Sequence, residues 1–172
     1  MSISHTRSSR VALKGGQASV ELISYASFFF LVFMAAVAIF FQIQGQEMSR
    51  AEYANAQEIA NGLADRIHTA FVAGPGFEER FFLSRSLLNR PYTLSVTSGA
   101  TPQSQQTGFV YVEWQGASGP ASYSAVAIAT NYTATTQSGF ISFAANRIAI
   151  NASQGLALNI SNENGTIRFK PG

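Results

Sequence analysis

The sequence predicts an α+β fold: one long N-terminal helix, apolar in its first half and amphipathic in its second, followed by a C-terminal antiparallel β-rich head. Three observations predict it. Leu22 to Phe41 reads LISYASFFFLVFMAAVAIFF, 20 residues without a charged side chain. From Glu47 onward apolar residues recur three and four apart until Gly74-Pro75-Gly76, the spacing of one helix face. Beyond Phe77, short runs rich in Val, Ile, Thr, Tyr and Phe alternate with Gly, Ser, Asn and Pro clusters, which is the pattern of strands and turns. The expected organisation is a leader over 1–16, a helix over 17–72 and a head over 77–172.

Composition bounds the function. The chain has 172 residues and 12% of them are charged, against roughly 25% in an ordinary soluble domain. That length can bury a core without staples. The absence of cysteine removes disulfide frameworks, thiol nucleophiles and Cys-type zinc sites. Charge is unevenly placed. Arg7, Arg10 and Lys14 give residues 1–16 a charge of +3, and the other 8 basic residues against all 9 acidic ones leave −1. The pI near 9.2 therefore belongs to the leader, and the head has too few cations for a nucleic-acid face.

The elements follow in order. Twenty helical residues at about 1.5 Å each span about 30 Å, the thickness of a bilayer's hydrocarbon core. The positive residues just before Leu22 predict that the leader stays cytoplasmic and that everything after Phe41 lies outside. Gln42 to Gln46 (QIQGQ) mark the exit into water. Met48, Ala56, Ile59, Ala60, Leu63, Ile67, Ala70 and Phe71 then form one stripe, with Arg50, Glu52, Glu58 and Asp65 expected on other faces. The helix is expected to stop at Gly74-Pro75-Gly76, where glycine accepts left-handed dihedrals and proline breaks the hydrogen-bond ladder.

In the head, strands are expected at Tyr92–Thr97, Gly108–Gln115, Tyr123–Ala129 and Phe140–Ala144. A terminal hairpin joins Leu156–Ile160 to Thr166–Phe169, with Asn164-Gly165 as its tight turn. Alternation in Phe109 to Trp114 and in Tyr123 to Ile128 predicts a sheet with one packed face, set against the lower half of the helix. Thr97 to Thr107 reads as an exposed loop, and Glu78-Glu79-Arg80 as a solvated turn.

No catalytic constellation stands out. His5 and His68 lack metal-ligand spacing, and nucleophile elbows and phosphate loops are missing. No catalytic residue, metal or cofactor is expected, and the chain is read as a structural protein. Asn131 (NYT), Asn151 (NAS), Asn159 (NIS) and Asn164 (NGT) are N-glycosylation sequons, which act as acceptors outside the cytoplasm. Two features remain at the start of the apolar run. Gly15 and Gly16 precede it, whereas an ordinary signal peptide is cut after its apolar region. They give a protease a flexible segment, or they only loosen the approach to the membrane. Glu21 is costly in lipid unless paired. It either neutralises an amine of the same or a neighbouring chain, or sits among lipid head groups.

The stretch Gly16-Gln17-Ala18-Ser19-Val20-Glu21-Leu22, running straight into the apolar helix, resembles the class III signal peptide of archaeal type IV pilins and pilin-like proteins. The likeness covers Lys14 to about Val72, with general β-character beyond. It implies cleavage between Gly16 and Gln17 by a prepilin peptidase, with 1–16 as the leader removed. It implies storage in the cytoplasmic membrane, then extraction by a pilus assembly ATPase and a membrane platform protein. The product implied is a helical homopolymer of identical subunits, a cell-surface filament for adhesion, with Glu21 as the assembly carboxylate. Other readings stay open: a minor pilin or pseudopilin-like subunit; a single-pass anchored surface binding protein that never polymerises; or an exported protein cut after Ala36-Val37-Ala38.

Overall fold

The computed structural model describes residues 10–99, 107–116, 119–144, 147–154 and 157–172, of which 10–18, 98 and 99 are described through their backbone alone. Residues 1–9 of the leader, the centre of the expected Thr97–Thr107 loop and Leu156 lie outside the described residues. The chain divides into two compact units, Met1–Gln46 and Glu47–Gly172.

The N-terminal unit is the first part of helix α1 (Arg10–Ala73). Every residue from Ser19 to Phe41 is exposed except Val37, which is half-buried. Phe28, Phe29, Phe30 and Phe33 each leave more than 60% of their surface free. A helix apolar on all sides needs lipid or other protein around it. This one is long and apolar enough to cross a membrane.

Among the described residues, the second unit combines the remainder of α1 with nine strands. They are β1 (Glu78–Phe82), β2 (Tyr92–Gly99), β3 (Thr107–Gly116), β4 (Gly119–Ala127), β5 (Asn131–Ala134), β6 (Ile141–Ala144), β7 (Arg147–Asn151), β8 (Ala157–Glu163) and β9 (Thr166–Pro171). Four form one sheet in the order β1-β8-β9-β5, and five form a second in the order β4-β3-β2-β7-β6. The architecture is α+β, as the sequence predicts. All pairings are antiparallel except β5 with β9, which run parallel.

The core lies where the helix meets these sheets. Ala56, Ala60, Leu63, Ile67 and Ala70 are fully buried, three and four apart, and pack with Leu94, Val96, Val110, Val112, Ile148, Ile150, Ile160 and Phe169. Each large aliphatic side chain so buried contributes about 1.5–3 kcal/mol. The alanines let strands approach the helix closely. The stripe is narrower than its sequence pattern: Met48 and Phe71 are exposed and Ile59 is half-buried. After Ala73, Gly74 takes φ +84° and ends the helix in the left-handed region.

Several expectations need correction. Glu78-Glu79-Arg80 is not a turn but the body of β1, whose Glu79 carboxylate pairs with Arg66 on the helix. Its neighbour Phe81 packs into the core and lies against Gly62. β5 and β7 are not among the strands the sequence predicts, and β4 begins at Gly119 rather than Tyr123. Phe140 is buried in a turn just before β6. The hairpin turn is as expected: Asn164 and Gly165 take φ of +54° and +84°, both positive as a type I′ turn demands.

Candidate functional site

Gly16 and Gln17 lie inside α1, so a protease that reads an extended segment must unwind this turn. The adjacent glycines ease that, each weakening a helix interior by about 1 kcal/mol relative to alanine. Glu21 is exposed at the head of the run. Among the described residues, no cation within one chain stands in ion-pair reach of it. One turn on, the Ser24 hydroxyl donates to the Val20 carbonyl at 2.9 Å, which satisfies it inside its own helix.

A constellation that the sequence does not predict lies in the Glu47–Gly172 unit. Glu52 is not on a solvent face: it is 2% exposed. Its Oε1 lies 2.6 Å from Arg90 Nε, and its Oε2 accepts a hydrogen bond from Trp114 Nε1 at 3.2 Å. Arg90 also donates through Nη1 to the Gln115 carbonyl at 3.0 Å. Two positive-φ residues, Leu88 (+49°) and Asn89 (+67°), make the tight turn that presents Arg90. A left-handed leucine costs about 1–2 kcal/mol. Tyr53, adjacent on the helix, meets the Trp114 ring edge-on at 5.3 Å. The signal for Glu52 was in the spacing, since it stands four residues before Ala56 and eight before Ala60. Only its charge argued for solvent.

Asn162 closes the other end of the helix. Its Nδ2 donates to the Ala70 carbonyl at 3.0 Å and its Oδ1 accepts from the Gly165 N–H at 2.8 Å. One side chain thus satisfies a last-turn helix carbonyl and braces the β8–β9 turn.

The sequons separate by position. Asn131 opens β5 and is exposed; Asn159 lies mid-β8 and is half-buried; Asn164 is exposed in the hairpin turn. Register puts Asn131 beside Thr166 and Asn159 beside Lys170 and Arg80, so both sit on one face of the four-stranded sheet. The tip of that same sheet carries Asn164, in the turn that joins β8 to β9. Asn151 is apart, at the end of β7, where its Oδ1 accepts from the Ser153 amide at 3.1 Å and hydroxyl at 2.6 Å. Near the hairpin, Glu163 pairs with Lys170 at 2.9 Å and Arg168 at 2.6 Å. The Lys170 hydrogen bond leads in holding its carboxyl below the usual range.

A cleft of about 640 Å³ opens at one end of the five-stranded sheet. Among the described residues, no three His, Asp or Glu side chains gather as a metal site. No protein-family model, curated protein or solved structure matches the chain.

Proposed function

We propose that this chain is a structural subunit of a type IV-like pilus filament on the cell surface. A prepilin peptidase cuts between Gly16 and Gln17. The 22–41 helix then waits in the cytoplasmic membrane with the head outside, until an assembly ATPase and a platform protein move it into a helical homopolymer.

One observation carries the reading: the apolar surface of Leu22–Phe41 is exposed at every residue but the half-buried Val37, and it follows directly on Gly-Gln-x-Ser-x-Glu. Such a surface exchanges lipid for neighbouring helices at little cost, because both environments are apolar. Ala35, Ala36 and Ala38 among the aromatics allow close helix approach. A head-to-tail contact that does not close on itself propagates as a filament. A head with few charges packs beside copies of itself without strong repulsion. Sugar on the sequons keeps its outer face hydrated.

The test is the N-terminal residue of the surface protein, read by mass spectrometry that allows for cyclised Gln and glycan mass. A start at Gln17 supports the filament subunit. A start at Met1 or at Ile39 overturns it, in favour of an anchored surface protein or conventional secretion.

A further inference from the structure

The cleft at the end of the five-stranded sheet sets a polar row beside apolar surface from Pro91, Tyr92, Trp114, Pro120 and Ala121. Strand register places Ser122 opposite Glu113, Glu113 opposite Thr93, and Thr93 opposite Asn151. These four residues form one row across β4, β3, β2 and β7, and all four line the cleft. Trp114 and Tyr92, the neighbours of Glu113 and Thr93 in sequence, are buried at 5% and 2% exposure. Alternation therefore points the row's side chains outward. Strands about 4.8 Å apart make the row about 14 Å long, with hydroxyl, carboxylate, hydroxyl and amide in succession. Gln115 and Pro120, directly paired, extend the lining at one end with a second amide and an apolar ring.

Charge decides what such a row can hold. Among the described lining residues Glu113 is the one carboxylate, and it is already neutralised, since Arg147 Nη2 donates to its two oxygens at 2.9 and 2.8 Å. An anionic ligand would have to draw Arg147 away from that carboxylate, and a cation would have to displace the same arginine. A neutral polyhydroxyl ligand suffers neither cost. It finds donors and acceptors spaced close to the length of one sugar ring, and apolar proline surface for its C–H faces. The volume lies within the range of about 300–1,000 Å³ typical of small-ligand sites.

We infer that this cleft binds a neutral oligosaccharide, two or three sugar units lying across the strands from Ser122 to Asn151. The inference is independent of filament assembly. The saccharide has two sources: a glycan of another surface, or the glycan carried by Asn151 itself, whose sequon opens onto the cleft.

The test uses the full chain from a host without N-glycosylation, in a detergent lacking a sugar head group. Maltotriose, cellotriose, chitotriose and mannotriose are titrated by saturation-transfer NMR, with sialyllactose as the acidic comparison. At least one neutral trisaccharide is expected to bind with a Kd on the order of 1 mM. Gln115→Ala combined with Ser122→Ala weakens it at least about 10-fold, whereas Asn164→Gln on the other sheet leaves it unchanged. Trp114 fluorescence confirms that each variant is folded. No neutral binding at about ten times that concentration overturns the inference; so does preference for sialyllactose, or binding that survives the double variant. The natively glycosylated protein then separates the sources. Loss of binding when Asn151 carries sugar assigns the cleft to the chain's own glycan, and retained binding assigns it to a foreign one.

Discussion

Trp114 and Glu52, separated by 62 positions, meet through a 3.2 Å hydrogen bond from the indole nitrogen to the carboxylate, and that bond fixes where the helix sits along the five-stranded sheet. Along this face the large apolar side chains are Leu63 and Ile67, both fully buried, while Ala56, Ala60 and Ala64 are small. Glu52 adds a polar constraint to theirs. It can be buried only where Trp114 donates and Arg90 neutralises, so every other register leaves a charge without partners.

Removing Glu52 should therefore cost more than its size implies. Glu52→Ala takes the carboxylate from Arg90 Nε, whose Nη1 keeps the Gln115 carbonyl, and leaves the buried Trp114 N–H without its acceptor; it is expected to lower stability by about 3 kcal/mol. Glu52→Gln keeps an acceptor but loses the charge, and should cost roughly half as much. Trp114 is the only tryptophan, so urea unfolding followed by its fluorescence reads this contact directly. A loss below about 1 kcal/mol for the alanine variant would show the cluster to be no better than a surface ion pair.

Gly108 is fixed by space rather than by dihedral freedom. A Cβ built there would stand 2.5 Å from both the Ile128 carbonyl oxygen and the Tyr132 hydroxyl oxygen, and Tyr132 itself donates to that Ile128 carbonyl. Gly108→Ala should destabilise by about 1–3 kcal/mol. Adding Tyr132→Phe removes one of the two clashes, so the double variant should lose less than the sum of the singles. Additive losses in a thermal or urea cycle would place the strain elsewhere.

These two sites show where sequence reasoning reaches. The long helix, its stop at Gly74 and the Asn164-Gly165 turn depend on local chemistry, and residues within a few positions decide them. β1, β5 and β7 do not. Glu78-Glu79-Arg80 has the composition of a turn, and only pairing with Arg66 and with β8, some 80 positions on, makes it a strand. Asn131-Tyr-Thr-Ala is too short to announce itself without β9 alongside. Glu52 lies on the buried stripe rather than on another face as expected, because its partners Arg90 and Trp114 are remote in sequence. The polar row from Ser122 to Asn151 exists only once four strands are in register. Non-local pairing separates what was legible from what was not.

Alkaline pH tests the burial of two phenols. Tyr92 and Tyr132 are each pushed by burial from 10.0 to about 12. Below pH 10 both are neutral in folded and unfolded chains, and their contribution to stability is complete. As pH rises from about 10 to about 12 the unfolded chain releases these protons first, so stability falls. Ionisation would also remove the hydrogen bond that Tyr92 donates to the Ser84 carbonyl at 2.8 Å. Phenolate absorbance is expected to show two late-titrating tyrosines whose ionisation coincides with unfolding. In Tyr92→Phe with Tyr132→Phe that alkaline loss should flatten. All tyrosines titrating together near pH 10 in a folded protein would refute the buried environment.

The apolar helix yields the last expectation, through the one acid at its head. Glu21 has no cation partner within its own chain among the described residues, yet it opens a segment built to leave water. A carboxylate in that setting is costly until a positive group from a neighbouring subunit reaches it. In the proposed filament, each subunit cut after Gly16 would gain such a group in the α-amine of Gln17. Glu21→Ala is then expected to leave membrane insertion and the Gln17 start intact, because neither needs the charge, while surface filaments fall at least about 10-fold, the equivalent of about 1.4 kcal/mol per contact. Fractionation of cells followed by mass spectrometry of the membrane and filament pools separates the two effects. Normal filament yield from the alanine variant would remove the pairing role, whereas a loss of cleavage itself would move Glu21 from assembly to protease recognition.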